Sequence, residues 1–510
     1  MKKKHHQPIY LIVHSPFIYP VRRSKMKKHI ITRIVLSGAL FALMSVLASC
    51  ATPAVAPTAV PATTTEPTAV TVPELSGDPV RGGLLYDTWW EVTEADKPTT
   101  DQALWKTQTS NTGTGADTWR CKECHGWDYK GVDGAYGSGS HKTGFVGILT
   151  AKDKPAAELL AALKGSTNPD HDFSTVLDEQ DMTDLALFMA QAQIDTTSLI
   201  NDDKSSKGDV TQGKDKFESV CTNCHGPQGN AINFGNIEEP ELVAHVAADN
   251  PWEFVHKVRF GQPGWPMPSA ISNEWTDQDV ANVLAYAQTL SQDPGVSGGG
   301  PLYDKWWEVT GADEPTTDQP LWKTQTTNTL TGADTWRCKE CHGWDFKGVD
   351  GAYGSGSHQT GFKGILSSAS LSAEELTAWL TGKTNPDHDY SQVLNEAQIA
   401  ALVTFTQKEL ADTAAVINSD KTVKGDPARG KVKFENTCAA CHGLDGKKLN
   451  FGDDAEPEYV GTIAVDNPWE FIHKASFGQP GEPMPAGVAL GWSLEDLANL
   501  LAYAQTLPTK

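Results

Sequence analysis

Hydrophobic and polar positions alternate with different periods along the chain, and the changes of period divide it. Residues 1–25 are basic and carry no periodic apolar positions. Met26, Lys27 and Lys28 then lead into an apolar run from Ile34 to Leu47, the order of an export signal whose translation starts at Met26. Residues 51–73 are almost wholly Ala, Thr, Pro and Val, too poor in large apolar groups for a core, so they predict an extended tether. Helical spacing begins after it. Gly425-Asp426-Pro427-Ala428-Arg429-Gly430 opens a helix that places Gly430 and Phe434 on one face and runs into Cys438. A final helix from Leu494 to Leu507 presents Leu497, Leu501 and Tyr503 at helical spacing.

These elements recur. An offset of 217 carries Tyr86 onto Tyr303, Cys121 onto Cys338, His141 onto His358, His171 onto His388, Cys221 onto Cys438, His256 onto His473 and Met267 onto Met484. The chain is therefore one two-part unit written twice. The parts are called A1 (78–200), B1 (201–294), A2 (295–417) and B2 (418–510), after a leader (1–49) and a tether (50–77). B1 repeats the helix pair of B2 with Gly213, Phe217 and Tyr286. A1 begins alike, with Gly77-Asp78-Pro79-Val80-Arg81-Gly82 and then Tyr86, but its first cysteine comes 31 residues later than in B2. The stretch from about Trp90 to Trp119 is an insertion, and Trp89, Trp90, Trp105 and Trp119 are expected to fill a core, wall a bound group or meet a neighbouring domain.

Nine cysteines change the picture. Eight form four Cys-x-x-Cys-His motifs, at Cys121/Cys124/His125, Cys221/Cys224/His225, Cys338/Cys341/His342 and Cys438/Cys441/His442. Two thiols at this spacing each add to one vinyl group of a porphyrin, and the following His becomes the proximal iron ligand, so four covalent haem c groups are predicted. A zinc knuckle needs two pairs about 15 to 20 residues apart, whereas the first two pairs here lie 100 apart, and neither zinc nor a disulfide needs a His after every pair. Cys50 remains. It follows Leu47-Ala48-Ser49, which resembles the lipobox of bacterial lipoproteins and implies cleavage before Cys50 and acylation of that residue. At about 14 apolar residues the preceding run is short for a membrane span.

Nine of the 42 basic residues and no acidic residue precede Cys50, which leaves 33 basic against 64 acidic groups and a net charge of −31. Such a charge argues against nucleic acid and anionic lipid surfaces as partners, and serves either docking on redox proteins with basic patches or simple solubility.

The Gly and aromatic positions of the first and last helices, with the haem motifs, resemble the class I cytochrome c fold. The resemblance covers residues 78 to 510 and implies an all-α chain of four cytochrome c-like domains. In that family the distal Met stands in a Met-Pro loop before the last helix. Gly261-Gln262-Pro263-Gly264-Trp265-Pro266-Met267-Pro268 matches it 42 residues after His225, and Met484 stands at the same distance from His442. Met267 and Met484 are thus the expected distal ligands of the B parts. His256 and His473, in Pro-Trp-Glu-Phe-x-His-Lys, are the competitors, expected on a helix facing a propionate or solvent.

No Met is shared by the A parts. His171 lies 46 residues after His125 and 17 before Phe188, close to where Met267 stands in B1, and His388 repeats it. His141 and His358, in a Gly-rich loop 16 residues after the proximal His, are the alternative. The function this implies is extracytoplasmic electron transfer from a lipid-anchored position. A dihaem peroxidase would need one open iron position, and a sulfur-compound-oxidising cytochrome normally uses a Cys ligand, for which none is spare.

Overall fold

The computed structural model describes residues 75–453 and 455–510; the leader, Cys50 and the tether read from the sequence lie outside them. Among the described residues every regular element is helical, and β contacts are limited to isolated bridges such as Gly131 with Val146. No helix among them is long and apolar enough to cross a membrane.

Each part is closed by its first and last helices. In A1 the Pro79–Thr93 helix starts at Asp78, whose carboxylate accepts the amides of Val80 and Arg81. The closing helix, Glu179–Leu187, starts on a reciprocal cap between Asp178 and Asp181. The two cross at Gly82, where a Cβ would collide with the Asp184 carbonyl and Phe188. Gly430 meets the Asn499 carbonyl of the Leu494–Ala504 helix in the same way, and Phe434 lies 5.5 Å from Tyr503. That last helix ends three residues before the sequence pattern does, at Ala504. The Pro79–Thr93 helix leaves helical geometry at Thr88, which lets Tyr86, Asp87, Trp89 and Trp90 all turn inward. Trp89, Trp90 and Trp105 are buried core residues; the Trp105 indole donates to the Gly113 carbonyl at 2.8 Å and ties the insertion to itself.

The Pro251–Phe260 helix of B1 carries His256 not towards solvent or a bound group, as expected, but into the contact with A1. The ring is 1% exposed and packs on Tyr86, Trp127, Phe188 and Phe260. Hydrophobic neighbours supplied by the other domain decide this, and no local pattern announces them. Its Nε2 donates to the Gly83 carbonyl at 3.0 Å, so Nδ1 is the acceptor, and the Tyr129 hydroxyl donates to it at 2.8 Å. Burial lowers the His256 pKa to about 3, so the ring is neutral.

His473 repeats the contact to Gly300 at 3.0 Å in the second unit, but Phe346 stands where Tyr129 does and the buried Nδ1 has no partner. Phe346→Tyr is therefore expected to stabilise the second unit by about 1 kcal/mol, and Tyr129→Phe to cost the first about 1 to 3 kcal/mol, by orphaning His256. Urea midpoints of the full chain measure both.

Candidate functional site

In A1 the motif forms a short helix, Cys121–His125, stopped by Gly126 at φ 77°. Tyr86 holds this end by donating its hydroxyl to the Gly126 carbonyl at 2.6 Å. The His125 Nδ1 lies 2.7 Å from the Val146 carbonyl, an acceptor only, so Nδ1 carries the proton and Nε2 keeps its lone pair. Burial lowers the His125 pKa to about 4. A2 repeats the arrangement: His342 Nδ1 donates to the Lys363 carbonyl at 2.6 Å, and Tyr303 to that of Gly343 at 2.7 Å.

The ring centres of His171 and His125 lie 6.2 Å apart with their planes at 71°, and those of His388 and His342 lie at the same distance with planes at 67°. Two imidazoles bound to one metal from opposite sides put their ring centres about 6 Å apart, given a metal–nitrogen bond of about 2 Å and a ring centre about 1.1 Å beyond the nitrogen. The pairs fit an iron between them. His388 donates Nδ1 to the Trp379 carbonyl at 3.1 Å, which turns Nε2 away from the backbone. Burial lowers the pKa of both His171 and His388, keeping them unprotonated.

His141 and His358 are placed elsewhere. His141 stacks on Tyr136 at 4.8 Å, with Nδ1 3.7 Å from a Glu123 oxygen; His358 stacks on Tyr353 at 4.7 Å and lies 3.5 Å from Glu340. Burial alone would raise Glu340, but His358 and Lys339 bring it down to about 2, so a carboxylate faces this imidazole.

In the B parts a π-turn, Phe217–Cys221, feeds the Thr222–His225 helix, and Phe434–Cys438 feeds Ala439–His442. The Nδ1 atoms of His225 and His442 are buried without a partner, unlike those of the A parts. Phe234 and Phe451 stand 5.9 and 5.8 Å from these rings. The Met loops are sharply turned: Gly261 has φ 96° and Gly478 φ 85°, and a Cβ at either would crowd the carbonyl of Met267 or Met484. Each loop is then tied back to the preceding helix, by Ala270 N–H to the Val258 carbonyl at 2.8 Å and by Gly487 N–H to that of Ala475 at 2.9 Å. Met267 and Met484 are half-buried.

None of the eight motif cysteines is in a disulfide, and each is half-buried beside its motif His, where it could form a thioether. The carbonyls that orient His125 and His342 escaped the sequence reading. They come from residues as unlike as Val146 and Lys363, because a backbone acceptor leaves no side-chain signature.

Residues 208–286 and 425–503 match the family described as cytochrome c oxidase, cbb3-type, subunit III. No curated protein matches the chain. Among solved structures, a thiosulfate dehydrogenase from Marichromatium purpuratum in its as-isolated form aligns with 75% of this chain and 86% of its own, at 14% identity and a TM-score of 0.18. The chain is all-α and contains two cytochrome c-like domains, B1 and B2, which imply covalently bound haem c and electron transfer. Proteins with such domains are generally extracytoplasmic.

Proposed function

We propose that the chain is a four-haem c-type cytochrome, tethered to a membrane through acylated Cys50, that relays electrons between extracytoplasmic redox proteins. The observation that carries the reading is the His pair in each A part, His125 with His171 and His342 with His388, at 6.2 Å. The A parts lie outside the family match, yet each offers two thiols and two neighbouring, unprotonated imidazoles. If each pair holds an iron, His125 with His171 and His342 with His388 would leave no position for peroxide or a sulfur substrate, which favours a carrier over an enzyme.

Haem c supplies one reversible ferric/ferrous electron at each of the four sites. What the chain adds is a difference between sites. Met267 and Met484 offer soft thioethers in the B parts, whereas His171 and His388 offer imidazoles, which stabilise ferric iron better. The Val146 and Lys363 carbonyls make His125 and His342 still more basic by accepting their Nδ1 protons, and His225 and His442 have no such acceptor. Both effects set the A potentials below the B potentials. The net charge of −31 suits partners that dock with basic patches.

Intact mass spectrometry of protein extracted from membranes tests the reading in one spectrum. Four covalent haems and an acyl-modified N-terminus at Cys50 are expected; two haems would overturn the four-site reading, and an unmodified Cys50 the anchor.

A further inference from the structure

The offset of 217 repeats every surface of the unit and so leaves open which repeated surfaces meet. The attachment segment of B1 is the one that is covered. The Ala486 amide of B2 donates to the Ala231 carbonyl of B1 at 2.9 Å, and Ala231 is 4% exposed. A Cβ on Gly226, the residue after His225, would stand 3.2 Å from the Ala489 carbonyl. The Thr222–His225 helix abuts the Phe434–Cys438 turn, and Glu218, Asn223 and Pro227 share a cleft with Thr437, Leu490 and Trp492. The matching face of B2 is more open: Gly226 and Ala231 are buried, whereas their counterparts Gly443 and Lys448 are half-buried and exposed.

B1 also touches A2, where Gln398 donates to Glu238 at 2.9 Å. There Ile237 of B1 also lies against Gly298, at the start of the first helix of A2.

We propose that the joint between Thr222–Pro227 and Thr437–Cys441 sets the second and fourth attachment motifs edge to edge, and is the internal electron crossing between the two halves of the chain. This rests on the four-haem reading. One electron crossing there oxidises the site it leaves and reduces the site it reaches, with no proton or further reactant. The crossing joins the two His/Met sites, so it is nearly level in potential and works in either direction.

The test uses the full-length, fully loaded protein. In the oxidised parent, spin-resonance lines of the His/Met class should be broadened by their mutual magnetic interaction, and the Soret circular dichroism should show a couplet, a readout that does not depend on axial ligands. Leu490→Glu places a carboxylate across the cleft from Glu218. It should narrow the His/Met lines at least two-fold, halve the couplet and speed hydrogen exchange at the Ala486 amide. Adding Glu218→Lys should restore all three. Narrow His/Met lines in the parent would overturn the proposal, as would unchanged lines and couplet in a Leu490→Glu protein whose Ala486 amide exchanges freely. Intact mass reads the haem count separately, so failure of the four-haem reading is distinguished from failure of the joint.

Discussion

Replacing His388 by Ala is expected to convert one A site from low-spin to high-spin ferric and to let carbon monoxide bind after reduction. The change should be complete at that site. His388 is the imidazole set 6.2 Å from His342, and its remaining ring neighbours, Tyr390 at 5.2 Å and Trp379 at 6.3 Å, bring a phenol and an indole rather than a second imidazole. His358→Ala should leave the spin state alone, because that ring stacks on Tyr353 and pairs with Glu340. His171→Ala should act on A1 as His388→Ala acts on A2. Low-temperature spin resonance of the oxidised variants, with carbon monoxide difference spectra, measures all three. A high-spin signal from His358→Ala and none from His388→Ala would reverse the distal assignment while leaving electron transfer as the function.

Replacing Asp87 by Ala is expected to cost about 3 to 5 kcal/mol, the loss that follows when one partner of a buried ion cluster is removed. Asp87 is 1% exposed, takes a hydrogen bond from Arg120 of A1 and another at 2.7 Å from Lys257 of B1, and so links the two parts. Its loss leaves the buried Arg120 without its carboxylate partner and Lys257 with Glu253 alone, 3.9 Å away. Asp304 repeats the cluster with Arg337 and Lys474 and should cost about as much. Denaturant unfolding of the full chain checks the size of the effect.

Acid should weaken the same A–B contact. Burial would push the Asp87 carboxyl up, but Lys257 and Arg120 outweigh it and hold it well below the usual carboxylate range. His256 is lowered from 6.5 to about 3 by burial. Both groups have folded pKa values below their unfolded ones, so the unfolded chain binds protons first. The stability they contribute is full above about pH 6.5, declines as His256 takes up its proton more readily unfolded, and falls further below about pH 4 with Asp87. Melting temperature against pH should therefore fall from 6.5 downward in the parent, and less steeply below pH 4 in Asp87→Ala.

Some of this protein was legible in five-residue words. A Cys-x-x-Cys-His motif specifies its chemistry locally, because two thiols and an imidazole on one helical turn suffice to attach and ligate a haem. The duplication was legible too, since an unbroken offset of 217 keeps every anchor in register, and so were the crossing of Gly430 with the last helix and the turns around Met267 and Met484. Tertiary structure decided the rest. His171 and His141 both follow His125 on loops, and only the path of those loops brings the first ring beside His125 and seats the second on Tyr136. His256 reads as one more polar position on an amphipathic helix until A1 supplies Tyr129, Trp127 and the Gly83 carbonyl around it. The joint between B1 and B2 could not be read from sequence, for a duplicated chain presents each surface twice. Which copy of a surface is covered depends on how the domains pack, and packing energy comes from contacts between residues hundreds of positions apart.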